Sequence, residues 1–387
     1  MILGKIMGKK QKIIIIGAGL VGLAQALALA QKNISVILIE EQGFVFSSEK
    51  RTARVSAINS SSIKFLKTLN IWDKVDGARF SSLQKLVIWD DLTQAEMDFD
   101  AAMIAAPELG VIIENRELRR VLFEAAEQNK NIQIIYAKPQ ELAISETVKL
   151  TLDNEQIIEA ELIIGADGAR SWLRNYLNID TAERSYYQQA IIACVETKKA
   201  HQNTGWQNFL STGPLALLPL NDPHQCAIVW SSDTARAQEL MSCDESQFNI
   251  EINNAFGSRL GEINLVSERQ LFPLIMRHAK NYLLPHVVLI GDAAHSIHPL
   301  AGQGVNLGFM DAKCLAENTD AKNPANFKNL RRYERTRKTA NSAMLCAMRA
   351  LRDAFASQDS LLVPARAFGI QTLNKADFIK NQLMQML

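Results

Sequence analysis

The sequence predicts an α/β protein in which a parallel sheet with crossing helices is interlocked with a mostly antiparallel sheet and followed by a helical C-terminal region. Three observations predict it. Residues 12–16 are a short β-branched run ended by glycine, and an Ala- and Leu-rich helical pattern and a second apolar run follow at once, which makes one β-α-β unit. From about residue 185 to about residue 275, short alternating segments separated by turn residues take over. After about residue 326 the composition is helical.

A chain of 387 residues supports one large or two interlocked domains. Hydrophobic residues at 48%, charged residues at 21% and a net charge of +1 describe an ordinary globular protein and exclude the basic excess of a nucleic-acid binder. Cys194, Cys226, Cys243, Cys314 and Cys346 are scattered, with no C-x-x-C pair and no histidines at metal-ligand spacing. Reduced thiols in a cytoplasmic protein are therefore expected, and a metal site is not. No apolar run approaches the roughly 18 residues of a membrane-spanning helix. Residues 1–12 are basic, with an apolar stretch too short for a secretory signal, and read as a frayed lead-in with Met7 an alternative start.

The elements follow in order. Residues 21–31 form the first helix, closed by Asn33 before a buried strand at 35–40. Ile58, Ile63, Phe65, Leu66 and Leu69 give helical spacing over 56–69, and 111–127 reads as a strand running into a helix. Segments 132–136, 148–152 and 157–164, with a turn at Asp153 and Asn154, are strands that return to the parallel sheet. The antiparallel layer is read as strands 190–196, 206–210, 215–220 and 226–230, a helical stretch up to residue 260 and a strand near 265–274. Residues 287–290 are again a short buried strand, and 305–317 and 327–355 are helices.

Three segments carry chemistry. In the first, Gly17 permits a tight turn, Gly19 lets the backbone approach a pyrophosphate, and Gly22 lets helix and strand pack closely, while the helix N-terminus faces the anion. Glu40 ends the next strand about 23 residues after Gly17, where a carboxylate binds ribose hydroxyls and disfavours a 2′-phosphate. This motif alone fits FAD or NAD(H). In the second, a buried strand ends at Gly291 and Asp292, whose carboxylate can accept hydrogen bonds from a polyol. A glycine-rich loop with Pro299, Gly302 and Gln303 then leads to a helix beginning near Gly304, whose N-terminus suits negative charge on a reduced flavin. The third runs from Gly165 through Asp167, Gly168 and Arg170 to Ser171, with Arg174 further on, and suits a second stretch of a long dinucleotide. For the second and third segments an ordinary strand-to-helix connection reads equally well.

Taken together, the Gly17 fingerprint, the segment at Gly165 and the run from Gly291 to Asn306 resemble the three signatures of the class A FAD-dependent aromatic hydroxylases, the group typified by para-hydroxybenzoate hydroxylase. Within that group, Arg54-Val-Ser-Ala-Ile-Asn, Leu69-Asn-Ile-Trp72, the segment at Asn115 and Pro299-Leu-Ala-Gly-Gln-Gly-Val-Asn-Leu-Gly308 resemble the ubiquinone-biosynthesis hydroxylase family, from about residue 12 to the C-terminus. Asn70 departs from the glycine common there, a position that Asn also tolerates at positive φ.

The resemblance implies a Rossmann-like FAD-binding domain at 10–184 and 276–325, the first part including one substrate-domain strand near 80–100, a substrate domain at 185–275 and a C-terminal helical region at 326–387. It implies that Glu40 holds the adenosine ribose, that Arg54 and Asn115 reach the ribityl-pyrophosphate region, and that Asp292 takes the ribityl hydroxyls. Asp167 and Arg170 fall in the motif used for both flavin and reductant. Gly302, Val305 and Asn306 would lie beside the isoalloxazine, with Pro299, Gln303 and Gly304 as the catalytic positions. The implied activity is hydroxylation of a polyprenyl phenol or another aromatic small molecule by O2 through a flavin C4a-hydroperoxide, with NAD(P)H or another electron donor reducing the FAD.

His295 and His298 are not assigned as general bases, since loop histidines beside a cofactor commonly only pack. The apolar segment 214–220 suits a cavity for a prenyl tail, and a buried strand reads identically. Met344, Met348, Leu351 and Phe355 beside Arg331, Arg332, Arg335, Arg337 and Lys338 suit either a membrane or complex contact or a solvated face over core. Peripheral association with the inner membrane and a homodimer stay open. A flavin halogenase is disfavoured because Trp206 is followed by Gln207 and Asn208 rather than by a Trp-x-Trp-x-Ile-Pro signature, and a non-catalytic flavoprotein component of a quinone-biosynthesis complex remains the alternative of another class.

Overall fold

The computed structural model describes residues 13–44, 46, 53–296, 304–357, 359–360, 362–376, 380–381 and 384. Ile13–Ile16, Val36–Glu40, Ile132–Tyr136, Leu162–Gly165 and Val287–Leu289 form a parallel sheet, with Leu283–Leu284 antiparallel at one edge. All four isoleucines of the first strand are buried, because both faces of the sheet are covered and no side is left for polar residues. Helix Leu20–Gln31 packs against helices Asn115–Glu127 and Gly304–Asn318.

Register positions the site. Ile16 stands opposite both Ile39 and Gly165, and Gly165 stands opposite Leu289. Three glycine-bearing turns and Glu40 therefore leave the sheet side by side at the carboxyl ends of neighbouring strands, where ligands of open parallel sheets sit. Gly17 N–H donates to Ile39 O at 2.8 Å, Ala166 N–H to Ile16 O at 2.8 Å and Ile290 N–H to Gly165 O at 3.0 Å, which extends the ladder into the turns.

The second large sheet has nine strands. Its order is His295–Ser296, Gln270–Ala279, Thr181–Thr197, Gln225–Asp233, Gly213–Pro219, Thr204–Leu210, Lys85–Asp90 and Glu96–Asp100, with Ile263–Leu265 attached to Thr181–Thr197. Every pair is antiparallel except Thr204–Leu210 with Lys85–Asp90. On one face Ile191, Val195, Leu215, Leu217, Ile228 and Trp230 pack on helices Thr234–Ser242 and Glu245–Phe256. The opposite face carries Ile192, Leu218 and Ala227, which meet Ala53, Leu83 and Ile112. The sheets interlock because His295–Ser296, directly after the turn at Asp292, joins the edge of the nine-stranded sheet.

Four elements depart from the sequence reading. Residues 56–59 belong to strand Val55–Asn59, and the helix begins only at Ser60, with the Asn59 side chain accepting from Ser62 N–H at 2.9 Å. The ladder with Gly110–Glu114 overrides helical spacing that a four-residue stretch cannot enforce. The expected strand 157–164 is two strands in different sheets, Ile157–Ala160 in a three-stranded meander and Leu162–Gly165 in the parallel sheet. Pro139–Ile144, the third strand of that meander, carries no alternation that announces it. Two strands of the 80–100 region, not one, join the nine-stranded sheet. Asn70 adopts φ +56°, the left-handed turn for which glycine is the common choice.

Helices Phe327–Ala356 and Leu362–Lys375 close the chain against both sheets. Tyr333 Oη donates to Leu289 O at 2.7 Å. Arg366 pairs with buried Asp90 at 2.9 Å and donates to the carbonyls of Ala354, Phe355 and Ser357 at the end of the long helix, while Phe355 stacks on Phe209 with ring centroids 3.8 Å apart. Among the described residues no helix is long and apolar enough to cross a membrane.

Candidate active site

Two cavities meet at the carboxyl edge of the parallel sheet. The first, of about 800 Å³, is a polar groove bordered by Gly17, Gly19, Glu40, Arg119, Asp167 and the junction residues described below. Gly17 has φ +101°, and a Cβ there would stand 2.5 Å from Ala166 O, so only glycine turns here. A Cβ on Gly22 would lie 1.9 Å from Gly17 O, which makes this glycine the contact between helix and strand. At Gly19 a Cβ would meet nothing within 4 Å, so the backbone there faces the open groove. Gly19 is also the N-cap of Leu20–Gln31, with no side chain capping the helix, and its first-turn N–H groups are left for an anion.

Glu40 is held in place before any ligand arrives. Its Oε2 accepts from Ala18 N–H at 2.7 Å and lies 3.4 Å from Arg119, whose Nε donates to Ala18 O at 2.9 Å and whose guanidinium covers the Phe44 ring at 4.7 Å. The sequence reading missed Arg119. Its spacing of four residues from Asn115 on one helix, which places both on the same face, was the available signal.

The second cavity, of about 620 Å³, has an apolar wall supplied by alternate residues of the nine-stranded sheet, among them Ala190, Ile192, Ala216, Leu218, Val229 and Phe272. Arg54, Asn115, Gly168 and Arg170 border both cavities and form their junction. No carboxylate pairs with Arg54 or Arg170 among the described residues, and Arg54 lies over the Phe272 ring at 5.6 Å. Asn115 keeps a buried Oδ1 without a partner. An unpaired cation pair and an orphaned amide oxygen at a junction between a nucleotide groove and an apolar chamber suit the phosphate and ribityl part of a dinucleotide.

Asp292 is exposed only to the extent that it faces the chamber, whose walls are protein. Desolvation raises its carboxyl pKa, partly offset by His295 and Arg54. Burial likewise raises Asp167, against hydrogen bonds from Ser171 and from the Leu173 N–H, the latter at 3.1 Å. Carboxyls in this state gain from donors such as ribityl hydroxyls.

Behind the cavities the motifs are tied to one another. Buried Arg174 donates to Ala293 O at 2.9 Å and Ala169 O at 2.8 Å, bridging the second and third turns. Asp311, with no exposed surface, accepts from His295 Nε2 at 2.5 Å, Arg337 Nε at 2.7 Å and Gly291 N–H at 3.0 Å. His295 is thereby part of a buried brace rather than of either cavity lining. Gly304, Val305 and Asn306 open helix Gly304–Asn318 and do not line either cavity among the described residues. The Asn306 side chain donates to Ala57 O at 2.7 Å and accepts from Asn59 N–H at 3.1 Å, pinning the helix start to the strand beside the chamber. His298, Pro299, Gly302 and Gln303 lie outside the described residues.

A glycine turn and helix N-terminus for a diphosphate, a fixed ribose carboxylate and an adjoining apolar chamber define a dinucleotide-dependent oxidoreductase. The profile of the FAD-binding-domain family matches residues 10–348, and the chain belongs to that family. It is 34% identical to the 3-demethoxyubiquinol 3-hydroxylase of Escherichia coli, over 97% of both chains. It is 32% identical to the human mitochondrial ubiquinone biosynthesis monooxygenase COQ6, over 96% of this chain and 91% of that one. Among solved structures it resembles PqsL from Pseudomonas aeruginosa, described as a probable FAD-dependent monooxygenase, with a TM-score of 0.77 at 19% identity over 93% and 98% of the two chains. The chain is thus an FAD-dependent aromatic monooxygenase, as its three motifs led one to expect.

Proposed function

We propose that the chain hydroxylates the aromatic ring of a polyprenylated phenol or quinol in ubiquinone biosynthesis, taking one oxygen atom from O2 and electrons from NAD(P)H or another donor. The observation that carries this reading is the apolar chamber continuous with the nucleotide groove through Arg54, Asn115, Gly168 and Arg170. The names of the relatives supply the substrate class. In this reading residues 10–184 and 276–325 bind FAD, 185–275 bind substrate and 326–387 cover both.

FAD, when bound, supplies the reduction of O2 and the transfer of an oxygen atom. The protein supplies the rest. First-turn N–H groups at Gly19 and the guanidinium groups of Arg54 and Arg170 neutralise the diphosphate. Glu40, with Oε2 held by Ala18 and Arg119, accepts from the adenosine ribose through Oε1. Asp292 would accept from the ribityl hydroxyls, and in this reading Gly302, Val305 and Asn306 are further cofactor-binding positions and Pro299, Gln303 and Gly304 the catalytic ones. The sheet face around Ala216 and Leu218 seats the aromatic ring and keeps water out. Peripheral contact with a membrane or a quinone-biosynthesis assembly belongs to the same reading, supported by exposed Leu351, Leu362 and Phe368 on the C-terminal helices.

Purified holoenzyme given reductant, O2 and 2-geranylphenol should form the ring-hydroxylated product in step with substrate-dependent O2 uptake. Deletion of the gene should accumulate a quinone precursor lacking one oxygen. A yellow protein that takes up O2 without forming product from any prenylated phenol or quinol, with an unchanged quinone profile in the deletion, would favour the non-catalytic flavoprotein.

A further inference from the structure

We propose that Gln207 reads the ring oxygen of the aromatic substrate, so that the chamber selects a phenol or quinol over a hydrocarbon of the same shape. The proposal rests on the hydroxylase reading above and adds a specificity-determining residue to it. In strand Thr204–Leu210, Gln207 stands opposite Ala216, which stands opposite Val229, which stands opposite Ile192. Directly paired residues share a face of the sheet, and all four line the chamber. Neighbouring Trp206 packs with the core of the opposite face, against Trp89 at 6.5 Å, and also borders the chamber.

Around Gln207 the wall is hydrocarbon. Gly205, two residues before it on the same face, has no side chain, and a Cβ there would stand 2.9 Å from Leu83 and 3.2 Å from Leu86, so these two leucines close in beside the amide. Gln207 is only 5% exposed, and its side chain has no hydrogen-bond partner among the described residues. Of the other polar side chains that the sheet contributes to the lining, Arg277 is held by Glu183 at 2.9 Å, the Trp206 indole N–H can only donate, and the Ser296 hydroxyl stands on the far edge strand. With the chamber full of water the amide is solvated. When an apolar ligand expels that water, the amide must either be left unsatisfied, at a cost of about 1–3 kcal/mol, or meet a polar atom of the ligand. An amide both donates and accepts, so it pairs with a neutral hydroxyl and equally with the carbonyl of a quinone, but not with a C–H.

The test compares 2-geranylphenol with geranylbenzene, which differ only in the ring oxygen, by anaerobic titration of the holoenzyme's flavin absorbance. Wild-type protein is expected to bind the phenol about 10- to 100-fold more tightly, the factor that one satisfied against one stranded buried amide supplies. Gln207→Leu should bind both alike and hold the hydrocarbon at least as well as wild type, which a merely misfolded chamber would not do. Gln207→Glu should keep a preference for the phenol below its own carboxyl pKa and lose affinity for both ligands above it, giving a pH dependence that wild type lacks. A phenol preference that survives in Gln207→Leu overturns the proposal, as does wild-type protein without any preference. A preference that disappears in Gln207→Leu, in a protein that forms no hydroxylated product, upholds the role of Gln207 and removes the hydroxylase reading instead.

Discussion

Asp311→Ala isolates the brace behind the active site. The Asp311 carboxylate has no exposed surface and receives four donors: His295 Nε2 at 2.5 Å, Arg337 Nε at 2.7 Å, Gly291 N–H at 3.0 Å and Asn341 Nδ2 at 3.2 Å. Burial alone would raise its pKa, but His295 and Arg337 overcome that and hold it at about 2, against an ordinary aspartate value of 3.8. At about 1.4 kcal/mol per pKa unit the depression corresponds to roughly 2–3 kcal/mol of stability. Because the folded protein binds this proton more weakly than the unfolded chain, the contribution is complete above about pH 4 and disappears as pH falls through 2. Removing the carboxylate costs more than the interaction is worth, since it leaves the Arg337 guanidinium enclosed without its partner. We expect about 3–5 kcal/mol.

Urea unfolding followed by both tryptophan fluorescence and FAD release should show that loss, and FAD should dissociate earlier than in wild type because Gly291 loses the acceptor that fixes the turn carrying Asp292. The double variant Asp311→Leu/Arg337→Met should recover about 2 kcal/mol of the sum of the two single losses. A single variant with the wild-type midpoint, or strict additivity in the double, would refute the reasoning.

Two further perturbations test other parts of the structure. Gly22→Ala places a methyl group 1.9 Å from Gly17 O, where only the backbone can yield, and should give folded protein that purifies colourless; normal FAD content would show that the helix shifts freely. His278 is pushed down to about 4 by burial, with His295 and Lys338 adding to the effect, and its Nε2 sits 2.8 Å from Tyr282 Oη. The unfolded chain therefore takes up this proton first, and stability is lost as pH falls from about 6.5 towards 4. Thermal midpoints should decline over that window in wild type and flatten in His278→Gln; equal slopes in the two proteins would count against the buried neutral ring.

Much of the nucleotide groove was legible because its demands are local. Gly17 is required by its own φ, Gly22 by an atom five residues away, and Glu40 by the end of a strand whose continuous apolar run announces burial. Helix Gly304–Asn318 and strand Val287–Leu289, which leads to Asp292, were found on the same grounds. Residues 56–59 misled because four residues fit either period, and their true state depends on a partner strand more than fifty residues away. Arg119 was overlooked because its role is to fix Glu40, a contact across 79 residues that no spacing within either segment expresses.

The sequence by itself determined the β-α-β unit, the three glycine-bearing turns and the family to which they belong, since backbone conformation, strand burial and helix starts are dictated by neighbouring residues. Only the tertiary structure decided that those turns leave the sheet in one row, that Arg54, Asn115 and Arg170 join a polar groove to an apolar chamber, and that Asp311 gathers donors from two separate segments, 291–295 and 337–341. Gln207 marks the boundary between the two. Strand parity places it opposite Trp206, but which side of the sheet faces the chamber is set by the helices that cover the other side.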